Sequence, residues 1–267
     1  MMWVYAFGIL VLVIFLISLI LYLTQDHFIF HAVKLAPSHQ FEFDRPFEEI
    51  KLTSDEGIAL SGIHFKNEQA KGIVIYFHNR TGNMQIWGQS VGVFYNAGFD
   101  VLLMDYRGFG KSGGRFNESR MITDVWLWYD WAKDLFPESS IVLYGKGLGA
   151  FFAVEVAAKN DPALVILESP MYSLSFSAKH HYPFLPGDLI LKYKMNSGIH
   201  FPELKGKVLI FHGKADKVIP HTSTFELVAS RPENTELILL EGTNNLGVMS
   251  NPIYLKKLEE TLGELNT

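Results

Sequence analysis

The chain is predicted to be an α/β protein, a doubly wound and mostly parallel sheet preceded by an N-terminal transmembrane helix. Three observations predict this. Short apolar runs bounded by turn residues recur along the chain, stretches with helical apolar spacing lie between them, and the first 23 residues carry no charged side chain.

The leader comes first. Within residues 1–23 only Tyr5, Gly8, Ser18 and Tyr22 interrupt the apolar run. As a helix it spans about 34 Å at about 1.5 Å per residue, enough for a bilayer core of about 30 Å. Trp3, Tyr5 and Tyr22 stand near its ends, where amphipathic rings favour the membrane interface. A cleaved signal peptide fits poorly, because no basic region precedes the run and no small-x-small site follows it. Residues 1–23 are therefore expected to be a single-pass anchor whose partner is the lipid bilayer. Lys34 and Arg45 after the helix lean toward a cytoplasmic body. Residues 24–46, with Pro37 and Pro46, read as a linker.

The folded domain is expected over 47–267. Segments 48–52 and 59–65 read as antiparallel strands around the turn Ser54-Asp55-Glu56-Gly57. The runs 73–77, 101–105, 141–144, 164–168, 208–211 and 236–240 have the continuous apolar character of strands buried on both faces. Between them Met121, Val125, Trp128, Ala132 and Leu135 form one helical stripe behind an Asn117 cap, and Trp87, Val91, Phe94 and Tyr95 form another. Asn251 and Pro252 open a last helix with Leu255, Leu258 and Leu262 on one face.

Composition narrows the function. The 267 residues are 48% hydrophobic, which allows an extensive core. A net charge of -5 and the lack of a basic run argue against nucleic acid as a partner. Without cysteine there is no disulfide framework and no thiolate site. No cofactor and no metal are expected. The first buried strand is not followed by a Gly-x-Gly-x-x-Gly turn, and His180-His181 have no acidic partner at helical spacing.

The chemistry-bearing motif is Leu143-Tyr144-Gly145-Lys146-Gly147-Leu148-Gly149-Ala150. The pattern Gly-x-Ser-x-Gly places a serine on a sharp strand-to-helix turn with its hydroxyl free to attack a carbonyl. Here Gly147 holds the serine position, so no side chain is available to be acylated. Three further segments accompany the elbow: Phe77-His78-Asn79-Arg80-Thr81-Gly82, Asp105-Tyr106-Arg107-Gly108-Phe109-Gly110-Lys111-Ser112, and Phe211-His212-Gly213-Lys214-Ala215-Asp216. In this order and spacing they resemble the α/β-hydrolase superfamily, closest to its membrane-anchored, short-lid branch of serine-aminopeptidase-like and acyl-thioesterase-like hydrolases. The resemblance covers about residue 48 to the end of the chain.

What the resemblance implies can be taken residue by residue. Asp216 stands at the triad acid position, either to orient a histidine or to close its own loop by accepting backbone amides. The family's histidine follows the last strand, yet no histidine occurs after His221. Thr243 or Asn244 stands there instead, and neither can take a proton from an alcohol near neutral pH. The oxyanion-hole amides fall on Leu148 and on Arg80 or Asn79. A lid is expected over about 171–202, containing His180-His181-Tyr182-Pro183-Phe184-Leu185-Pro186. Gly147, Asp216 and Thr243 or Asn244 are thus vestigial catalytic positions. The expectation is a membrane-anchored protein of hydrolase fold without ordinary serine-hydrolase activity, acting on an acyl or lipid-like ligand or a protein partner by binding. The alternative is an active ester, thioester or peptide hydrolase with a rearranged site.

Overall fold

The computed structural model describes residues 1–183 and 190–265, so Phe184, Leu185 and Pro186 of the expected lid lie outside the described residues. Helix α1, Met2–Ile29, extends beyond the charge-free run and takes Asp26 and His27 into its last turn. Its apolar run is exposed, and the helix is long and apolar enough to cross a membrane, a property shared with signal sequences.

The segment 24–46, expected as a linker, lies packed on the domain rather than as a free tether. Its aromatic residues explain this. Phe30 and Phe41 are buried, and the Phe30 ring stacks on Phe116 at 4.4 Å. His31–Ala32 forms a two-residue parallel ladder with Thr81–Gly82. The end of α1 is also held. Gln25 Nε2 donates to the Ile190 carbonyl and Gln25 Oε1 accepts from the Lys192 amide. Lys192 Nζ and the Tyr193 hydroxyl both bind Asp26.

Eight strands form the main sheet: β1 (Phe47–Thr53), β2 (Ala59–Phe65), β3 (Ile73–Phe77), β4 (Asp100–Asp105), β5 (Ile141–Lys146), β6 (Leu164–Glu168), β7 (Val208–Gly213) and β8 (Thr235–Leu240). Their order is β8-β7-β6-β5-β3-β4-β2-β1. β1 and β4 pair with β2 antiparallel and every other pairing is parallel, which is the expected doubly wound sheet. Successive residues of the central strands serve opposite cores. Ile75, Phe77, Leu143 and Leu167 meet Trp128 and Phe152 on one face, while Val74, Tyr76, Tyr144 and Ile166 meet Phe94, Tyr254 and Leu258 on the other.

The helices cover both faces. α2 (Glu118–Lys133) starts where the Asn117 side chain accepts from the Arg120 amide. It ends before Leu135, which is exposed and so falls outside the expected stripe. α3 (Leu148–Ala157) follows the elbow and is buried throughout. The Trp87 to Tyr95 stripe is broken into short helical turns, Met84–Trp87, Gly88–Ser90 and Gly92–Asn96. Side chains of the 24–46 segment press against it there: a Cβ on Gly88 or Gly92 would meet the Phe43 ring or the Arg45 guanidinium. α4 (Leu174–His181) falls within the segment expected as a lid and α5 (Thr222–Ser230) follows β7. α6 (Pro252–Glu264) is capped by Asn251, but buries Tyr254, Leu258 and Leu262 and leaves Leu255 exposed.

Candidate functional site

The parallel strands end together on one edge of the sheet, where ligand crevices form in open α/β folds. There β5 passes through Lys146 and Gly147 into α3. Close approach dictates the flanking glycines. A Cβ on Gly145 would run into the backbone of Gly149 and Ala150, and one on Gly149 into the Phe77 carbonyl. Gly147 itself has φ 55° and ψ -110°, a conformation that strains a side-chain-bearing residue by about 1–3 kcal/mol. The strand-to-helix turn is present with glycine at its tightest position.

The loop after β3 reaches across to it. Asn79 Oδ1 accepts hydrogen bonds from the Arg80 amide at 2.7 Å and from the Leu148 amide at 3.3 Å. Leu148 and Arg80 are among the residues whose amides the resemblance places at an oxyanion hole, the alternative to Arg80 being Asn79, and both amides are taken up by the Asn79 carboxamide. The same oxygen lies 2.5 Å from where a Cβ on Gly147 would stand. Arg80 is turned away from the elbow: its Nη1 donates to the carbonyls of Phe28 and Ile29 at the end of α1 and lies 2.9 Å from His31 Nδ1.

Asp216 holds its own loop. Its Oδ1 accepts from the amides of Val218 and Ile219 at 2.8 and 2.9 Å, while Oδ2 is buried without a hydrogen-bond partner. The nearest imidazole is that of His212 on β7, whose Nε2 is 3.6 Å from Oδ2. That nitrogen bonds the Ile219 carbonyl at 3.0 Å, and Nδ1 pairs with Thr224 Oγ1 at 2.6 Å. His212 and Thr224 are both fully buried. Burial pushes the His212 pKa below its ordinary value. The Thr224 hydroxyl and the His212 imidazole are thus paired behind the cavity wall, to which Asp216 belongs. The i, i+4 spacing of His212 and Asp216 was the sequence signal for this contact.

Thr243 and Asn244 are occupied locally. Thr243 Oγ1 donates to the Glu241 carbonyl and accepts from Asn251 Nδ2. Asn244 Oδ1 accepts from the amides of Leu246 and Gly247. Their neighbour Asn245 is the residue of this loop that faces the crevice. Beneath the elbow, Lys146 Nζ and the Tyr144 hydroxyl both bind the Glu168 carboxylate. Burial raises the Glu168 pKa and the Lys146 charge opposes that rise.

These groups surround one cavity of about 400 Å³. Leu148, Met171, Leu174, Met195, Val218 and Ile219 give it an apolar lining, and Phe28 and Ile29 bring the end of α1 to its edge. Asn79, Lys146, Ser169, Ser177, His181 and Asp216 supply polar groups. His181 Nε2 bonds the Val218 carbonyl. Among the described residues no group of three or more His, Cys, Asp or Glu side chains could hold a metal ion.

Comparison with known proteins agrees with this architecture. The family profile described as serine aminopeptidase, S33, matches residues 68–195. Protein R595 of Acanthamoeba polyphaga mimivirus is 29% identical over 228 residues, covering 76% of this chain and 77% of its own. Protein bem46 of Schizosaccharomyces pombe is 27% identical, covering 67% of this chain and 64% of its own. The Pyrococcus furiosus esterase Pf2001 superposes with a TM-score of 0.67 at 21% identity, covering 88% of this chain and 97% of that one. By its strand order, its elbow and these matches, the chain has the α/β-hydrolase fold and is similar to the serine aminopeptidase, S33, family over residues 68–195.

Proposed function

We propose that this chain is a membrane-anchored protein of α/β-hydrolase fold that binds an acyl or lipid-like ligand in the cavity above the elbow and does not run ordinary serine-hydrolase turnover. The observation that carries the reading is Asn79 Oδ1 on the Arg80 and Leu148 amides. A substrate carbonyl has no free oxyanion hole to enter, and Gly147 has no oxygen to attack it. Among the described residues, no hydroxyl lining the cavity is hydrogen-bonded to a base: Ser169 Oγ and Ser177 Oγ have no partner, and His181 bonds a carbonyl. Loss of nucleophile and base together removes on the order of 10⁶ in turnover.

The anchor reading is supported by the way α1 is built into the domain. Cleaving the leader after the apolar run would sever the helix whose last turns hold Lys192, Tyr193 and Arg80. The cavity edge at Phe28 and Ile29 then lies beside the membrane, and an apolar ligand can enter from the bilayer. Lys34 and Arg45 favour a cytoplasmic body. Native mass spectrometry of the full chain released from nanodiscs tests the binding reading. A stoichiometric bound amphiphile is the expected result, and a bare chain under conditions that retain lipids on a control protein contradicts it.

A further inference from the structure

Helix α1 meets the cavity at its own last turn. Phe28 and Ile29 line the cavity edge, Gln25 is tied to Ile190 and Lys192, and Asp26 to Lys192 and Tyr193. With residues 1–23 in the bilayer core, Gln25 and Asp26 stand about 3–5 Å beyond it along the helix, and Phe28 and Ile29 about 8–9 Å, at about 1.5 Å per residue. The headgroup layer is about 5–7 Å deep on each side of that core. The bonds of the last turn thus hold the cavity edge close to headgroup level.

The far rim of the cavity carries side chains suited to that level. Tyr182 and Val218 line it and are exposed, His181 Nε2 ties the two sides together at the Val218 carbonyl, and Leu246 follows the lining residue Asn245. Outside α1, Leu246 at 77% and Tyr182 at 63% are the most exposed of the large apolar side chains described. Lys179, in the last turn of α4, and Lys217, beside Val218, are exposed as well. A tyrosine ring, aliphatic side chains and ammonium groups on one rim are the chemistry of a bilayer contact: rings favour the interface, aliphatic groups the acyl boundary, and lysines the anionic headgroups.

We propose that this rim is a second membrane contact, the occupant being the same bilayer that α1 crosses. Tyr182, Val218 and Leu246 sit in the headgroup layer, Lys179 and Lys217 meet lipid phosphates, and the cavity opens onto the membrane surface. This rests on the reading of α1 as an anchor and needs no ligand in the cavity.

The chain has no cysteine, so a single nitroxide can be placed at each position of interest. The test puts one at Tyr182→Cys, Val218→Cys or Leu246→Cys in the full chain, in nanodiscs of phosphatidylcholine and phosphatidylglycerol, and reads collisions with oxygen and with a water-soluble nickel complex. Leu135→Cys is the aqueous reference, an exposed apolar position between α2 and β5 at the opposite edge of the sheet, and Ile14→Cys the lipid reference. The rim labels are expected to shift toward oxygen and away from nickel relative to Leu135. Adding Leu246→Asp and Tyr182→Asp should return the Val218 label toward nickel without moving Ile14. Rim labels as open to nickel as Leu135, or a Val218 label unmoved by the two aspartates, overturn the inference while the anchor stands. Rim labels shielded from both reagents also overturn it, since a protein partner or a second copy then covers the rim. An Ile14 label open to nickel overturns the anchor reading itself.

Discussion

Asn79 Oδ1 accepts the Leu148 amide at 3.3 Å from a position that also closes the space a side chain on Gly147 would need. Glycine at the elbow and asparagine in the preceding loop are therefore matched. Gly147→Ser should lower thermal stability, since it adds about 1–3 kcal/mol of backbone strain and displaces the Asn79 carboxamide. Adding Asn79→Gly should recover part of the loss. Neither variant should cleave p-nitrophenyl esters above background, because the imidazole nearest Asp216 is buried and bonded elsewhere. Melting curves and ester assays on the two variants check both points.

Gly149 marks where α3 crosses closest to β3. A Cβ there would meet the Phe77 carbonyl, which is backbone and cannot step aside. Gly149→Ala is expected to destabilise the domain by about 1–3 kcal/mol or more through overpacking. Gly263, whose Cβ would meet nothing within 4 Å, is the control. Gly263→Ala sits in exposed helix and should raise stability by about 0.5–1 kcal/mol. Chemical denaturation of the two variants separates the cases.

The Lys146 and Glu168 pair is buried below the elbow. Lys146→Met leaves Glu168 without its cation and is expected to cost about 3–5 kcal/mol, while Lys146→Met with Glu168→Gln should restore most of it. A double-mutant cycle by denaturant unfolding gives the coupling. Equal losses in the single and double variants would contradict the buried pair.

His212 gives the fold a defined acid sensitivity. Its pKa is depressed by burial from the ordinary 6.5, so between the two values the unfolded chain binds the proton and the folded chain does not. The stabilisation is complete above pH 6.5 and is lost as pH falls through the folded-state pKa. His212→Gln should flatten that part of the stability-against-pH curve, measured by urea unfolding between pH 7.5 and 5.

Much of this was legible in the chain. Two-faced burial makes parallel strands read as unbroken apolar runs, and all eight strands were placed within a residue or two. The elbow was legible because its glycines are dictated by backbone contact. The Leu255 face and the Trp87 to Tyr95 helix were not, because helix phase and continuity there depend on Phe43, Arg45 and Tyr254 packing from distant segments. The segment 24–46 read as a tether for the same reason, since Pro37 and Pro46 are visible in sequence and the docking of Phe30 and Phe41 is not. In the site, Asn79 was expected as an oxyanion-loop residue, but that its side chain takes up the Arg80 and Leu148 amides depends on a rotamer that sequence does not encode. Ser177 gave no signal, because an unpaired hydroxyl is a property of surroundings.

The central claim is that no cavity hydroxyl is activated for attack on a carbonyl. The most direct measurement is fluorophosphonate labelling of the full chain in nanodiscs, with a heat-denatured sample as control and peptide mapping of any adduct. Labelling no greater than in the denatured control is the predicted result. Native-only labelling mapped to Ser169 or Ser177 would contradict the claim and establish a rearranged hydrolase site.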